Sequence, residues 1–464
     1  MLKIFNTLTH RKEIFKPIIN NNVSIYVCGI TVYDFCHIGH GRTFTVFDII
    51  IRYFKFCGYN INYVRNITDI DDKIIIRAIQ NKESISSLTN RMIKFMHHDF
   101  HKLNLLVPTV EPRVTQCIED IILMISVLIK NNYAYINSNG DVCFSIKNYS
   151  KYGELSNQLL SSLQLINNSN INLKMDFVLW KLSNKVESYV SWKSPWGYGR
   201  PGWHIECSAM SNKYLGKTFD IHGGGIDLLF PHHENEKAQL DGYDHDSFIN
   251  YWIHAGMVVI NDIKMSKSLN NVCTLRYLLK SFNGNTLRYF FLSTHYRRPL
   301  HFNIVNIKNS ENCFKKICYA LCQTNKLDLN CVAVTTDYDH QFNAAMKDDF
   351  NTPEALKILL FLSKKIIFIN KNEFNKEKVN FLVGKLFFLV KILGFNINLK
   401  HVYCRKDSTS NVEHDIQSLI KLREKARSNK DWNTADVIRK KINKLDIVLE
   451  DTYNGTIWYP KNLV

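Results

Sequence analysis

The chain has 464 residues, of which 45% are hydrophobic and 22% charged; this is a globular composition, long enough for roughly three domains of ~150 residues and for a core that needs no covalent staples. There are 59 Lys and Arg against 42 Asp and Glu, a net charge of +17, which favours a polyanionic partner, either nucleic acid or an acidic membrane surface. Twelve cysteines spread over the whole length exclude a small disulfide scaffold. The N-terminal "MLKIFNTLTHRKEIFKP" has no apolar signal core. The most apolar stretch, "FLVGKLFFLVKILGF", is broken by Lys385 and Lys391 and is too short to cross a bilayer. These features predict a reducing, cytoplasmic setting without a membrane partner, where a cysteine is either inert or a metal ligand.

In chain order, "NVSIYVCGI" alternates and is β-branched, so it reads as a strand ending near Cys28. A turn-rich loop leads into "HGRTFTVFDIIIRYFKFCG", a helix closed by Gly58, and "YNINYVRNIT" is a second strand. Strand, helix, strand is the unit of a parallel α/β sheet. Helical patterns fill Lys73 to Lys130, and a more irregular region follows from Tyr133 to Arg200. Alternation then resumes with a helix after Pro201, the strand "KTFDIH", a "GGG" turn, a helix from Pro231 and the strand "FINYWIHAGMVV". The fold class is therefore α/β, a Rossmann-type parallel sheet split by an insertion. A long amphipathic helical pattern occupies Ser310 to Lys400, and a polar linker near "CRKDSTSN" precedes a small basic segment. The expected domains are a split catalytic Rossmann domain (1–120 and 201–260), a connective insertion (121–200), a junction (261–309), a helical bundle (310–400) and a small C-terminal domain (411–464).

"CGITVYDFCHIGHGRT" places two cysteines and two histidines at a strand end and a helix start. Cys28 lies at the C-terminal end of the first strand, where α/β ligand sites form. Cys36 and His37 are adjacent and poorly placed to share one ion, so further ligands must come from elsewhere. "PGWHIECSAM" offers Cys207, and "FPHHENEKAQ" offers His232 and Glu236. With Pro231 in a first helical turn, His232 and Glu236 share a helix face while His233 turns away. Cys28, Cys207, His232 and Glu236 supply two sulfurs, a nitrogen and an oxygen, which suits Zn²⁺. The plain alternative is inert core cysteines and a surface His/Glu pair.

"HIGH" opens the first helix, so His37 and His40 can share a face and offer imidazole N–H groups to phosphate oxygens at a helix N-terminus. Gly39 leaves room for a flat base against the backbone. "KMSKS" spaces Lys264 and Lys267 three apart, so two ammonium groups can meet a departing pyrophosphate; a solvated helix face is the bland alternative. The triplet in "HGGG" (222–225) allows close backbone approach at a strand end.

With "HIGH" and "KMSKS" in this order around a split α/β sheet, the chain resembles the class I aminoacyl-tRNA synthetases. "CGITVYD", "GWHIECSAM", "GGGIDLLFPHHENE" and "MKDDFNTPEAL" resemble the cysteinyl-tRNA synthetase family in particular, and the likeness runs from the first strand to "VLEDTYNGTIW". The resemblance implies zinc on Cys28, Cys207, His232 and Glu236, and Lys267 as an ATP-contacting lysine. It implies Thr68 and Trp203 around the amino acid, and Arg427, Trp432, Asp436 and Asp451 near the anticodon. It also implies the reaction: cysteine's carboxylate attacks the α-phosphate of ATP, which carries Mg²⁺, and the terminal ribose of tRNA(Cys) then takes the cysteinyl group. Positioning and charge stabilisation dominate such chemistry, with His37 and His40 on the phosphate and Lys264 and Lys267 on the pyrophosphate. Four protein ligands ordinarily mark a closed zinc site, so the ion must accept a fifth ligand or Glu236 must yield. A monomer is expected. Two departures, Asn270 in place of a glycine after KMSKS and Gly41 after HIGH, bear on loop mobility and leave the catalytic groups in place.

Between Lys421 and Lys444 nine Lys or Arg face three Asp or Glu, which fits an RNA reader: Arg and Asp bond base edges and Trp stacks. Two rivals remain. The mycothiol-pathway cysteine ligase resembles the catalytic half and lacks the anticodon segment, and a catalytically inactive zinc-containing RNA-binding protein would not need the KMSKS lysines.

Overall fold

A computed structural model describes residues 1–158, 176–183, 190–260, 263–264, 273–324, 331, 333–373, 375–397, 410–444, 447–452 and 455–460. These divide into two compact units. None of the described cysteines forms a disulfide, and no described helix is long and apolar enough to cross a membrane.

The first unit comprises Met1–Lys280, Thr294–Phe302 and Met346–Asn351. It opens with a hairpin of β1 (Lys3–Asn6) and β2 (Arg11–Ile14), then β3 (Asn22–Thr31), α1 (Ile38–Phe56) and β4 (Asn60–Thr68). As the sequence predicts, α1 ends at Cys57 and the chain turns at Gly58, whose φ is +91°. The helical pattern expected from Lys73 to Lys130 resolves into α2 (Asp72–Asn81), α3 (Ile85–Lys102) and α4 (Ile118–Lys130). Helix α3 is capped at Leu103, after which Asn104 takes φ +54°, and Pro108 and Pro112 lie in the non-helical segment before α4.

The irregular region from Tyr133 to Arg200 proves to hold an antiparallel sheet. Its strands are β5 (Ala134–Ile136), β6 (Val142–Phe144), β7 (Phe177–Leu182), β8 (Trp192–Ser194) and β9 (Gly197–Pro201), in the order β5-β6-β7-β9-β8. Strands of three to six residues are too short to show a period of two above noise. The chain then returns through α5 (Ile205–Leu215), β10 (Thr218–Gly225), α6 (Glu234–Tyr243) and β11 (Phe248–Ala255). Short strands β12 (Val258–Ile260), β13 (Ile263–Lys264) and β14 (Leu300–Phe302) form a separate sheet, with α7 (Leu275–Ser281) between β13 and β14 in sequence.

The central sheet has the order β11-β10-β3-β4, all parallel. It is the split sheet expected from the sequence, because β3 from the first half pairs with β10 from the second. The strands are buried on both faces, as parallel strands covered by helices are. The "GGG" expected as a turn is instead the end of β10, paired with β11 through Gly225. The three glycines serve close approach: a Cβ on Gly223 would lie 2.2 Å from the Phe47 ring of α1, and one on Gly224 2.9 Å from His233 Cε1. Gly223→Ala is therefore expected to cost about 1–3 kcal/mol of stability through overpacking against the buried Phe47 ring, read as a lower midpoint in urea. An unchanged midpoint would mean that α1 is not seated on this strand.

The second unit comprises Ser281–Ser293, Asn303–Ala345 and Thr352–Val464. Its helices are α8 (Gly284–Leu292), α9 (Ile304–Leu321), α10 (Asp337–Lys347, whose last turn belongs to the first unit), α11 (Thr352–Asn372), α12 (Lys376–Ile392), α13 (Ser410–Ser428) and α14 (Trp432–Lys444). The chain closes with an antiparallel hairpin of β15 (Ile447–Thr452) and β16 (Gly455–Pro460). The last two helices and the hairpin share a small core of Ile420, Ile438, Ile442, Ile447 and Leu449. The region expected to be a junction (261–309) is divided: residues 294–302 return to the first unit and supply β14, while 281–293 and the start of α9 belong to the second.

Candidate active site and metal centre

The pairing of β3 with β4 skips between Val27 and Ile30, so the backbone is irregular at Cys28 and Gly29. Such a break re-aims a side chain at a strand end. Gly29 is required here, since a Cβ would lie 1.6 Å from the Asn66 carbonyl oxygen, and its N–H donates to Asn66 Oδ1 at 2.7 Å. The break presents Cys28 to α5 and α6, two helices buried almost all round although rich in polar residues. A helix of that kind has polar groups that must find partners inside the protein.

Those partners converge on one point. One ligand atom each from Cys28, Cys207, His232 and Glu236 lies within 4.8 Å of all the others, and all four side chains are buried. Cys28 Sγ is 3.2 Å from Glu236 Oε1, and His232 Nε2 is 2.9 Å from the same oxygen. Burial pushes the Cys207 thiol up, but bonding from Cys28 and His232 outweighs it and brings the pKa to about 6. Burial raises Cys28, and its bond to Cys207 raises it further. Burial disfavours a charge on His232, yet the Glu236 carboxylate raises it to about 10. A thiolate and a carboxylate thus face one imidazolium in a dry site, an arrangement short of positive charge and suited to a cation. His232 Nδ1 is 2.8 Å from His204 Nδ1, which leaves Nε2 for an ion, the usual arrangement of a ligating histidine.

His233, expected to turn away, faces the same cluster. Its Nε2 is 4.0 Å from Glu236 Oε1, and with Cys28, His222 and Glu236 it forms a second set of close ligand atoms. The reason is the spacing itself: His233 and Glu236 are three apart, and on a helix residues three apart are neighbours just as those four apart are. His222, which the sequence reading passed over, lies 3.1 Å from Glu236 Oε2. The two sets share Cys28 and Glu236. The first set borders the cavity described next through Cys28, Cys207 and His232, the second through the shared Cys28 alone.

At the start of α1 the two HIGH histidines cap each other. His37 Nδ1 accepts the His40 N–H and His40 Nδ1 accepts the His37 N–H, each at 3.3 Å, and the rings stack with centroids 3.6 Å apart. This is a capping box built from imidazoles. Because each Nδ1 accepts, each proton resides on Nε2, which makes both rings donors away from the helix. Arg42, one turn further on, is fully buried and donates through Nη2 to the carbonyls of His295, Tyr296 and Arg298, holding that turn beside the helix start.

A cavity of about 300 Å³ is lined by His37, Gly39 and His40 together with Cys28, Cys207 and His232. Thr68 and Trp203 line it too, so seven groups expected from distant parts of the sequence, and Gly39, meet in one place. The Trp203 ring lies over His232 with centroids 4.4 Å apart. Thr68 Oγ1 donates to Glu206 Oε2 at 3.0 Å. Glu206, buried and raised well above the usual carboxylate range by burial and by Cys207, was missed; its position in a helix buried on all sides is the signal that could have found it. Lys264 is the end of β13, opposite Val259 of β12, and Lys267 lies outside the described residues.

In the C-terminal part, Asp451 accepts from both Arg423 nitrogens at 2.7 and 2.8 Å and from Arg427 Nη1 at 2.6 Å. Arg423, also missed, thus joins Arg427 in tying α13 to the hairpin, and Asp451 sits between two guanidinium groups. Trp432 is 59% exposed, which leaves a ring face for stacking. Asp436 is exposed one helical turn further along α14.

A family model described as tRNA synthetases class I (C) catalytic domain matches residues 14–312, a DALR domain model matches 341–398, and a model described as Cysteinyl-tRNA ligase anticodon binding domain matches 409–458. The chain is 50% identical over 467 residues to the cysteine–tRNA ligase of Buchnera aphidicola subsp. Acyrthosiphon pisum, with 99% of each chain covered. It is 48% identical over 465 residues to that of Actinobacillus pleuropneumoniae serotype 5b, again with 99% of each covered. Among solved structures, a Mycobacterium tuberculosis methionyl-tRNA synthetase in complex with methionyl-adenylate superposes with a TM-score of 0.55 over 80% of this chain and 89% of that one; at 12% identity the likeness is one of fold.

Proposed function

The chain belongs to the cysteine–tRNA ligase family of class I aminoacyl-tRNA synthetases, and on that premise we propose that it activates L-cysteine with ATP and passes the cysteinyl group to the 3′-terminal ribose of tRNA(Cys). The observation that carries the reading is one cavity lined both by the two HIGH imidazoles and by Cys28, Cys207 and His232. A nucleotide phosphate and an amino-acid side chain can be read there by different groups.

The donor set of two sulfurs, a nitrogen and an oxygen fits Zn²⁺, and Cys28, Cys207, His232 and Glu236 would hold it. A zinc bound there supplies a Lewis acid that takes the substrate thiol as thiolate, which serine's hydroxyl cannot match. A site built around one such bond discriminates by about 10⁴–10⁵. Trp203 and Thr68 wall the amino-acid end. His37 and His40 donate from Nε2 to the α-phosphate oxygens as charge builds there, and their mutual capping fixes both rings before substrate arrives. Lys264 and Lys267 neutralise the leaving pyrophosphate, with Mg²⁺ carried on the ATP. Arg427, Trp432, Asp436 and Asp451 face the anticodon in this reading. The chain acts as a monomer in this reading, in the cytoplasm, where ATP and tRNA meet it.

The test is cysteine-dependent ATP–pyrophosphate exchange followed by charging of tRNA(Cys). Exchange at equal rates with cysteine and serine would remove the metal-selected thiol from the proposal. Exchange without any charging would favour the sugar-ligase rival, and no exchange at all the inactive RNA-binding one.

A further inference from the structure

Three buried side chains, Asn66, Thr68 and Glu206, carry a series of hydrogen bonds that runs in one direction. It begins at Gly29, whose backbone N–H can only donate and does so to Asn66 Oδ1 at 2.7 Å. That bond fixes which end of the Asn66 amide is which, so Nδ2 is the group turned to Thr68 Oγ1, at 3.4 Å. The Thr68 hydroxyl accepts there and donates onward to Glu206 Oε2 at 3.0 Å.

A hydroxyl has one proton and two lone pairs. With the proton given to Glu206 and one lone pair facing Asn66, Thr68 Oγ1 keeps a single lone pair. Gly29, Asn66 and Thr68 all line the cavity, and Glu206 is not among its described lining residues. What Thr68 offers a ligand is therefore an acceptor and nothing else. A primary ammonium is a donor and nothing else, so the two match. A carboxylate placed there would set lone pair against lone pair.

The ends of the series are also informative. Gly29 follows Cys28 and Glu206 precedes Cys207 in the chain, and both cysteines offer sulfur to the candidate metal cluster. The bonds that orient the hydroxyl thus start and finish beside the groups that would hold the metal. One substrate carrying a thiol and an ammonium on neighbouring carbons can be read at both places.

We propose that Glu206 is a positioning residue for the amino acid: by taking the Thr68 proton it makes that hydroxyl an obligate acceptor for the α-ammonium of the substrate. The inference rests on cysteine being the amino acid activated, and names the group that sets the polarity of that contact. Without Glu206 the Thr68 proton loses its partner and turns to the cavity, where the ammonium has to displace it.

Two apolar replacements, Glu206→Met and Glu206→Leu, are made so that the test survives if one of them does not fold. They are compared with Glu206→Gln, Thr68→Val, the double variant Thr68→Val/Glu206→Met and wild type, all full-length. Cysteine-dependent ATP–pyrophosphate exchange and zinc content are measured on the same samples. Glu206→Met is expected to raise KM for cysteine by about 10–100-fold, the size of a lost hydrogen bond to a charged group, with KM for ATP and zinc content unchanged. Glu206→Gln, whose amide oxygen can take the Thr68 proton, should recover most of the loss. Two inhibitors separate the contacts: cysteamine keeps the thiol and ammonium without the carboxylate, and 3-mercaptopropionate keeps the thiol and carboxylate without the ammonium. In Glu206→Met only cysteamine should bind more weakly. In the double variant the two effects on KM should not add, because each removes the same contact. Wild-type KM for cysteine in the apolar variants would overturn the proposal. So would equal weakening of both inhibitors, additive effects in the double variant, or zinc lost from the apolar variants, since each would make Glu206 a general support of the α5 turn. A wild-type protein without cysteine-dependent exchange would instead sink the activation reading on which the proposal rests.

Discussion

Cys28→Ser is expected to lose bound metal and cysteine-dependent exchange together, with the exchange rate falling by about 10³-fold or more, since a metal-selected thiol is worth up to about 10⁴–10⁵ in discrimination. The substitution is nearly isosteric, so packing around β3 should survive; what changes is the donor, because a serine hydroxyl stays protonated where a thiolate binds. Cys28 belongs to both close ligand sets, so its loss alone does not say which set holds the ion. Cys207→Ser separates them. If the ion is on Cys28, Cys207, His232 and Glu236, Cys207→Ser should be metal-poor, and His222→Ala should keep most of its metal while loosening Glu236, its neighbour at 3.1 Å. The measurement is metal content per chain beside exchange rate. Full zinc in Cys207→Ser, with metal lost from His222→Ala, would move the site to the second set, which reaches the cavity through Cys28 alone.

How far the sequence reached is clearest at this cluster. The four residues come from three segments, near 28, 207 and 232–236, and no spacing rule joins segments so far apart; the resemblance did, and the geometry brings their ligand atoms within 4.8 Å. The pair His232 and Glu236 was readable from helical spacing, and His233 was misplaced because residues three apart, like those four apart, are neighbours on a helix. The strands β3 and β4 and the helix α1 were legible because each carries an unbroken local pattern, closed at Gly58 by a residue able to take φ +91°. The triplet at 223–225 allowed two readings, a turn and a close backbone approach at a strand end, and the second holds. Glycine marks both turns and close approaches, and only the Phe47 ring 2.2 Å from a Gly223 Cβ decides between them. Arg423 escaped notice in a run of basic residues, where nothing local distinguishes a guanidinium that holds Asp451 from one that faces solvent.

His40 offers an effect of comparable size and a sharper separation of roles. Its ring does two things at once: Nδ1 accepts the His37 N–H at the start of α1, and Nε2 carries the proton offered to phosphate. His40→Ala removes both. It should destabilise the protein by about 0.5–2 kcal/mol, as loss of a helix cap does, and slow ATP–pyrophosphate exchange by about 10²–10³, as loss of one donor to a developing anion does. KM for cysteine should hold, because in this reading the thiol is met by other groups, Cys28, Cys207 and His232. His40→Glu pulls the two apart. Glutamate at the third helical position is the ordinary partner of a capping box, so stability should return to near the wild-type value. Its carboxylate, however, faces the α-phosphate with like charge and no proton to give, so exchange should fall below that of the alanine variant. Stability and activity then move in opposite directions across one pair of substitutions, followed by urea midpoints and exchange rates on the same samples. If His40→Glu restored exchange along with stability, His40 would be a cap alone, and the phosphate would have to be held by His37 and the KMSKS lysines without it.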